Sequence, residues 1–297
     1  MKGIREIRHR IKSIKNTAKI TRAMQLVSAS KMKKAQDKAL GGRPYATLFA
    51  EIAHSLSSHL DRPGNPLLES RPIEHRGVLI VTTDRGLCGP LNHNITRQIS
   101  QMESSTKFIA IGKKATQYLA RTGKNMIASF SITDHVSYKD VRTITTFLVE
   151  QFLAKNIDTV EVLYPSLVNT AIQEPVIRNL LPIKNFEREL EFLYRRMGVN
   201  IASLPKDDRF MLMEPSKKAL VDKLPLTFFN QSIFQILLEM KASEHSARMV
   251  AMKNATDNAE SIVSDLTLEY NKARQASITQ EIIEIAASQQ ASKEQSA

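Results

Sequence analysis

The stretch Thr82-Thr83-Asp84-Arg85-Gly86-Leu87-Cys88-Gly89-Pro90-Leu91-Asn92 follows an apolar β-branched run and precedes a helical pattern. Loops in that position can cradle a phosphate on free backbone amides. Gly86 and Gly89 fit neither the G-x-x-x-x-G-K-[ST] spacing nor G-x-G-x-x-G. Two readings follow, a nucleotide-contacting turn and a plain strand-to-helix connection, and the connection is favoured. The histidines at 9, 54, 59, 75, 93, 135 and 245 show no metal-ligand spacing, and Cys88 is the single cysteine. No G-x-S-x-G nucleophile motif occurs. The expectation is a chain with no metal, no cofactor and no catalysis of its own.

The chemistry that remains is charge. Residues 1–38 carry twelve Lys/Arg against only Glu6 and Asp37, so they hold most of the formal net charge of +12. A helix of that sign seeks an acidic partner. A nucleic-acid arm is the competing reading, since phosphate neutralisation needs only clustered cations. Aromatic residues that could stack on bases are absent between residues 1 and 44. With one cysteine no internal disulfide can form, which fits a reducing compartment. No apolar run approaches the roughly 18–20 residues needed to span a bilayer. The basic start lacks the apolar core of a secretory signal.

The elements that must present this charge are mostly helices. Ile4, Ile7, Ile11, Ile14, Ala18 and Thr21 alternate spacings of three and four, the seam of an amphipathic helix, and Ile20, Met24 and Val27 form a second apolar line. The pattern predicts a helix over 1–60 with a kink near 41–44, where Gly41-Gly42-Arg43-Pro44 interrupts it before Leu48, Ile52 and Leu56 resume it. Residues 61–75 read as a connector. Within 76–183, β-branched runs at 77–83, 107–111, 159–164 and 176–183 alternate with helical patterns at 90–102, 113–121 and 139–155. That alternation predicts a Rossmann-like α/β domain with a mostly parallel sheet. Residues 184–215 read as a connecting segment, 216–287 as a C-terminal helix and 288–297 as a disordered tail.

The C-terminal helix is the most distinctive element, because residues 226–297 hold no glycine or proline. The 60 residues from Leu226 to Ile285 would extend about 90 Å as a helix. Ala247, Ala251, Ala255 and Ala259 recur every four residues, flanked by Ile233, Leu237 and Met240 before and Ile262 and Leu266 after. Small residues let two helix backbones approach closely, and Asn254 and Asn258 are polar candidates for fixing register on that seam. The basic first helix is the natural mate. One helix enters the α/β domain and the other leaves it, so the pair is expected to be an antiparallel two-helix coiled coil.

The stretches "IRHRIKSIKNTAKITRAMQLVSASKMKKAQ" (Ile7 to Gln36) and "ARMVAMKNATDNAESIVSDLTLEYNKARQASITQEIIEI" (Ala247 to Ile285) resemble the two ends of the gamma-subunit family of rotary F-type ATP synthases. "DRGLCGPLN" (Asp84 to Asn92) and "QEPVIRNLLP" (Gln173 to Pro182) are similar to its central segments. The resemblance implies a non-catalytic central stalk that turns inside a ring of alternating alpha and beta subunits, coupling proton flow to ATP synthesis or hydrolysis at the beta-subunit sites. It implies epsilon, delta and the membrane c-subunit ring as further partners, with no nucleic acid. It also implies indirect membrane association, at the cytoplasmic face of a bacterial inner membrane or its organellar equivalent. Carried over by position, acidic beta-subunit levers would face Met24, Arg22 and Lys31. A catch near the tip would engage Arg274 and Gln275, with Arg248, Thr279 and Glu281 in the same network and Ile278, Ile282, Ile283 and Ile285 as an apolar tip. Two features depart from the family pattern: Pro90 stands where a small residue is common, which bears on the 84–92 loop, and the paired-cysteine redox loop of chloroplast relatives is missing.

Overall fold

Alternation within one short strand places the core. The structure, a computed structural model, describes residues 2–57, 65–196, 214 and 216–294. In β1 (Arg76–Val81) Val78 and Ile80 point to one face, and Leu79 and Val81 to the other. All four are buried, as befits a strand covered on both sides. β1 is central in a five-stranded sheet of order β3-β2-β1-β4-β5. It runs parallel to β2 (Lys107–Ile111) and to β4 (Thr159–Leu167), and β2 runs parallel to β3 (Met126–Phe130). β5 (Gln173–Leu181) closes one edge antiparallel to β4.

Helices α3 (Leu91–Ser100) and α4 (Lys113–Thr122) cover the face of Val78 and Ile80 through Ile95, Ile99, Ala115 and Leu119. The opposite face is covered by α2 (Arg43–Ser57), α5 (Tyr138–Leu153), α6 (Phe186–Arg196) and the first turns of α7 (Lys217–Glu294). Tight passage between β1 and β2 explains Gly112, whose φ is +93° and whose missing Cβ would stand 2.2 Å from the Thr82 carbonyl oxygen.

The chain divides into two compact units, with boundaries inside α1 (Lys2–Gly41) and α7 rather than at helix ends. One unit runs from Ser28 to Arg248; the other joins α1 up to Val27 with α7 from Met249 onward. In the second of these, α1 turns inward at Ile4, Ile7, Ile11, Ile14, Ala18, Thr21 and Gln25. α7 does so at Met252, Thr256, Ala259, Val263, Leu266, Tyr270, Ala273 and Ser277. Both rows alternate steps of three and four, the 3.5-residue period of a coiled coil. Thr21 meets Thr256, and Arg22 lies beside Glu260. Lys31, toward the C-terminal end of α1, and Lys241, in the N-terminal half of α7, share Asp134, and the two helices run antiparallel.

Several expectations are corrected. Ile262 is 46% exposed and Val263 takes its place. A row repeated every four residues, like the alanines, winds around a 3.6-residue helix, whereas a seam must advance by 3.5. Asn254 and Asn258 face solvent, and the buried polar pair is Thr21–Thr256, hydroxyl to hydroxyl at 2.7 Å. Ile233, Leu237 and Met240 pack in the α/β core, so α7 becomes a coiled-coil strand only past Arg248. In α2 the buried line is Ala46, Phe49, Ala50, Ala53 and Leu56, while Leu48 and Ile52 are exposed. The 184–215 segment contains α6, and the 288–297 tail is helical to Glu294, since its Ala, Gln, Lys and Glu are good helix formers. Residues 295–297, the connector's 61–64 and most of 197–215 lie outside the described residues.

The threonine pair yields a test. One hydroxyl donates to the other, and Thr21 and Thr256 also lie within reach of the Ala18 and Met252 carbonyls at 3.1 and 2.9 Å. Thr256→Val alone is expected to cost about 1 kcal/mol in thermal or denaturant unfolding. Replacing both threonines by valine is expected to recover most of that loss, because both buried hydroxyls are then gone.

Candidate partner-contact site

A helix pair whose seam is one residue wide leaves its other faces to solvent. Beyond Tyr270 the contact residues of α7 are only half-buried, and Arg274, Gln275, Thr279 and Glu281 are all exposed. Glu281 accepts a long 3.5 Å hydrogen bond from the Ser277 hydroxyl, a surface contact that a partner could displace at little cost. Ile278, Ile282 and Ile283 stand beside them, 43%, 61% and 55% exposed. On α1 the second apolar line points outward, with Ile20 and Val27 exposed and Met24 half-buried. Arg22 is largely exposed and sits 3.8 Å from Glu260, itself exposed. Such a pair contributes little and re-forms readily.

The other two expected contact residues are engaged within the Ser28–Arg248 unit. Lys31 donates to Asp134 at 2.6 Å. Arg248 is buried and donates to Glu244 at 2.8 Å, with two longer contacts of 3.4 Å to the Gly86 carbonyl and one of 3.4 Å to His245 Nδ1. Burial lowers the His245 pKa, which keeps the ring neutral beside the guanidinium. The structure thus gathers Arg274, Gln275, Thr279 and Glu281 on one exposed helix end and turns Arg248 inward.

The turn at Thr82–Asn92 is tied to the start of α4, and Thr82, Thr83 and Asp84 take up that helix's first amides. The first amides of α4 are already bound: Lys113 N–H donates to the Asp84 carboxylate at 2.9 Å, Lys114 N–H to the Thr83 carbonyl at 3.2 Å and Ala115 N–H to the Thr82 hydroxyl at 2.8 Å. At the start of α3, Pro90 lacks an N–H, and it adopts helical angles (φ −80°, ψ 0°) that let its carbonyl accept from Asn94. The Asn92 amide donates to Thr83 at 2.8 Å and to Cys88 Sγ at 3.2 Å. Cys88 and Leu91 then pack on Ala247 of α7, so the helix covers the turn. Burial raises the Cys88 thiol pKa.

Sequence reasoning missed the charged chain that fixes this region: Lys31, Asp134, Lys241, Glu244 and Arg248 alternate in sign. The i,i+3 and i,i+4 spacing of Lys241, Glu244 and Arg248 was a visible signal. Nothing in sequence placed Asp134 beside them.

An α/β domain whose Thr82–Asn92 turn is covered by α7, together with an antiparallel helix pair with basic and apolar outer faces, defines a scaffold subunit made to be held by other chains. The ATP synthase family model matches residues 3–291. The ATP synthase gamma chain of Opitutus terrae is 45% identical over 289 residues, covering 97% of this chain and 98% of that one. That of Methylacidiphilum infernorum is 45% identical over 298 residues, covering 98% and 99%. A chain of the Euglena gracilis mitochondrial ATP synthase has the same fold, with a TM-score of 0.66 at 20% identity over 97% of this chain and 94% of that one. The chain belongs to the ATP synthase gamma chain family.

Arg248 and Cys88 provide a joint test. In the native chain Cys88 is expected to react slowly with a thiol reagent at neutral pH, being buried and protonated. Arg248→Met removes the shorter of the two cation contacts of buried Glu244, leaving it Lys241 alone, and releases Gly86, so labelling is expected to accelerate about tenfold or more and stability to fall by about 3 kcal/mol. Equal labelling rates in the two chains would show that Arg248 does not hold the turn shut.

Proposed function

We propose that this chain is the central-stalk gamma subunit of a proton-translocating F-type ATP synthase, turning inside a hexamer of alpha and beta subunits. Its rotation couples proton flow through a membrane c-subunit ring to ATP synthesis or hydrolysis at beta-subunit sites, with epsilon and delta in the same assembly. The chain itself is mechanical and non-catalytic. The reading is supported above all by the coiled-coil unit, where a narrow seam pairs the helices and leaves a strongly basic α1 with exposed Ile20, Leu26 and Val27. Exposed apolar side chains on a two-helix rod gain about 25 cal/mol per Å² when a sleeve covers them. A basic flank guides passing acidic loops through contacts of only about 0.2–1 kcal/mol, too shallow to trap a rotor.

The residues assigned to contact are Arg22 and Met24 for the levers, and Arg274, Gln275, Thr279 and Glu281 for the catch. Lys31 and Arg248 act from within the chain's own fold. No helix among the described residues is long and apolar enough to cross a membrane. Attachment is therefore assigned to the complex, at the cytoplasmic face of a bacterial inner membrane. The nucleic-acid reading has no further observation in its favour.

Purification from native membranes is expected to bring alpha and beta ATPase subunits with this chain; their absence would overturn the assignment. Arg274→Ala with Gln275→Ala removes charge-assisted hydrogen bonds worth roughly 1.5–3 kcal/mol. That change is expected to lower coupled turnover of the complex about tenfold while the helicity of the free chain stays unchanged. Met24→Lys adds a cation beside Arg22, so acidic levers bind too well. Proton pumping per ATP hydrolysed is then expected to fall, and normal pumping would argue against levers at that position.

A further inference from the structure

We propose that Asp134 is the joint through which the α/β domain grips both stalk helices, positioning them for torque transfer; the torque role rests on the stalk reading above. Its carboxylate receives Lys31 of α1 at 2.6 Å on one oxygen and lies 3.8 Å from Lys241 of α7 on the other. The loop that carries it is fixed at both ends. Ile132 and Val136 are buried in the sheet core, and Ser137 caps α5 in a reciprocal box with Asp140. The same loop takes a second hold on α1, since Lys38 donates to the Val136 carbonyl at 2.5 Å.

The two arms differ in strength. Lys31 and Asp134 are about half exposed, which makes that arm weak alone. Lys241 is 5% exposed and has two carboxylates nearby, Asp134 and, at 3.4 Å, Glu244. Glu244 is shared with Arg248. Removing the Asp134 charge therefore leaves two buried cations with one buried anion, a costly imbalance. One side chain thus ties the sheet domain to α1 directly and to α7 through a buried ion chain. A load on the domain reaches both helices together instead of shearing one past the other.

The test uses the full chain, free and in the assembled complex in vesicles. Hydrogen exchange is expected to accelerate in Asp134→Asn around Lys31 and around Lys241 alike, and in Lys31→Met around Lys31 only. In the complex, both variants are expected to lower proton pumping relative to ATP hydrolysis roughly twofold to fivefold, and Asp134→Glu to restore the ratio. Lys31→Met leaves the buried ions intact, so it reports on coupling even where Asp134→Asn folds poorly. A purely structural role would reduce the amount of assembled complex, moving pumping and hydrolysis together and leaving their ratio alone; that result, or exchange unchanged around Lys31 in Asp134→Asn, overturns the proposal. Failure of the unsubstituted chain to join alpha and beta subunits would instead sink the stalk reading, while exchange in the free chain still decides whether Asp134 holds both helices.

Discussion

A two-helix coiled coil in water is held by a strip of contact one side chain wide. Everything else about this chain answers that constraint. The strip on α1 is built from isoleucines near its start and narrows to Ala18 and Thr21, while α7 supplies Met252, Thr256 and Ala259 opposite the narrow part. Small residues let the backbones close up, but they contribute little apolar area each. The Thr21–Thr256 hydroxyl pair marks a single register where area alone would tolerate a slip. Stability and register are thus supplied by different residues along one seam.

The same helices meet the α/β domain by other means. Between Leu224 and Met240, α7 is an ordinary core helix, burying Phe228, Phe229, Ile233, Ile236 and Leu237. From Lys241 to Arg248 its buried face is polar: Lys241, Ser243, Glu244, His245, Ser246 and Arg248 are all nearly inaccessible. Specific partners fix this stretch along its length. Ser166 and the Leu167 amide donate to Glu239, Ser246 donates to the Thr170 carbonyl, and Arg248 reaches Gly86. An apolar helix face can slide or rotate by small amounts at modest cost. A row of charge-assisted bonds with fixed directions cannot.

Local pattern made much of this legible. The isoleucine seam of α1 follows from spacing alone, as do the β-branched runs of β1, β2, β4 and β5, because each has the period of its element. β3 was not legible: Met126–Phe130 is five residues long, partly exposed at a sheet edge and short of β-branched residues. α6 was hidden because Phe186–Arg196 is rich in charge beside apolar positions and lies next to a segment without clear periodicity. Among site residues, Arg274 and Gln275 are exposed, where one sequence can place them, since only their own helix determines the side they face. The contacts that Lys31 and Arg248 make within the chain were not legible, because Asp134 and Gly86 lie more than a hundred positions away in sequence. Periodicity gives a helix face, and it does not say what arrives against that face.

The distribution of charge ties these points together. The cations on α1 from Arg5 to Arg22 lie on the exposed flank of the helix pair, where water and salt weaken each contact and leave it replaceable. Lys31 instead meets a carboxylate of the chain's own, Asp134, and Lys241 and Arg248 meet Glu244 in near-complete burial. The same residue types therefore do opposite jobs. Exposed, they make many shallow and interchangeable contacts; buried and paired, they make few contacts that cannot be exchanged without leaving a charge stranded. A rotor needs both kinds, and burial alone decides which kind a given lysine or arginine becomes.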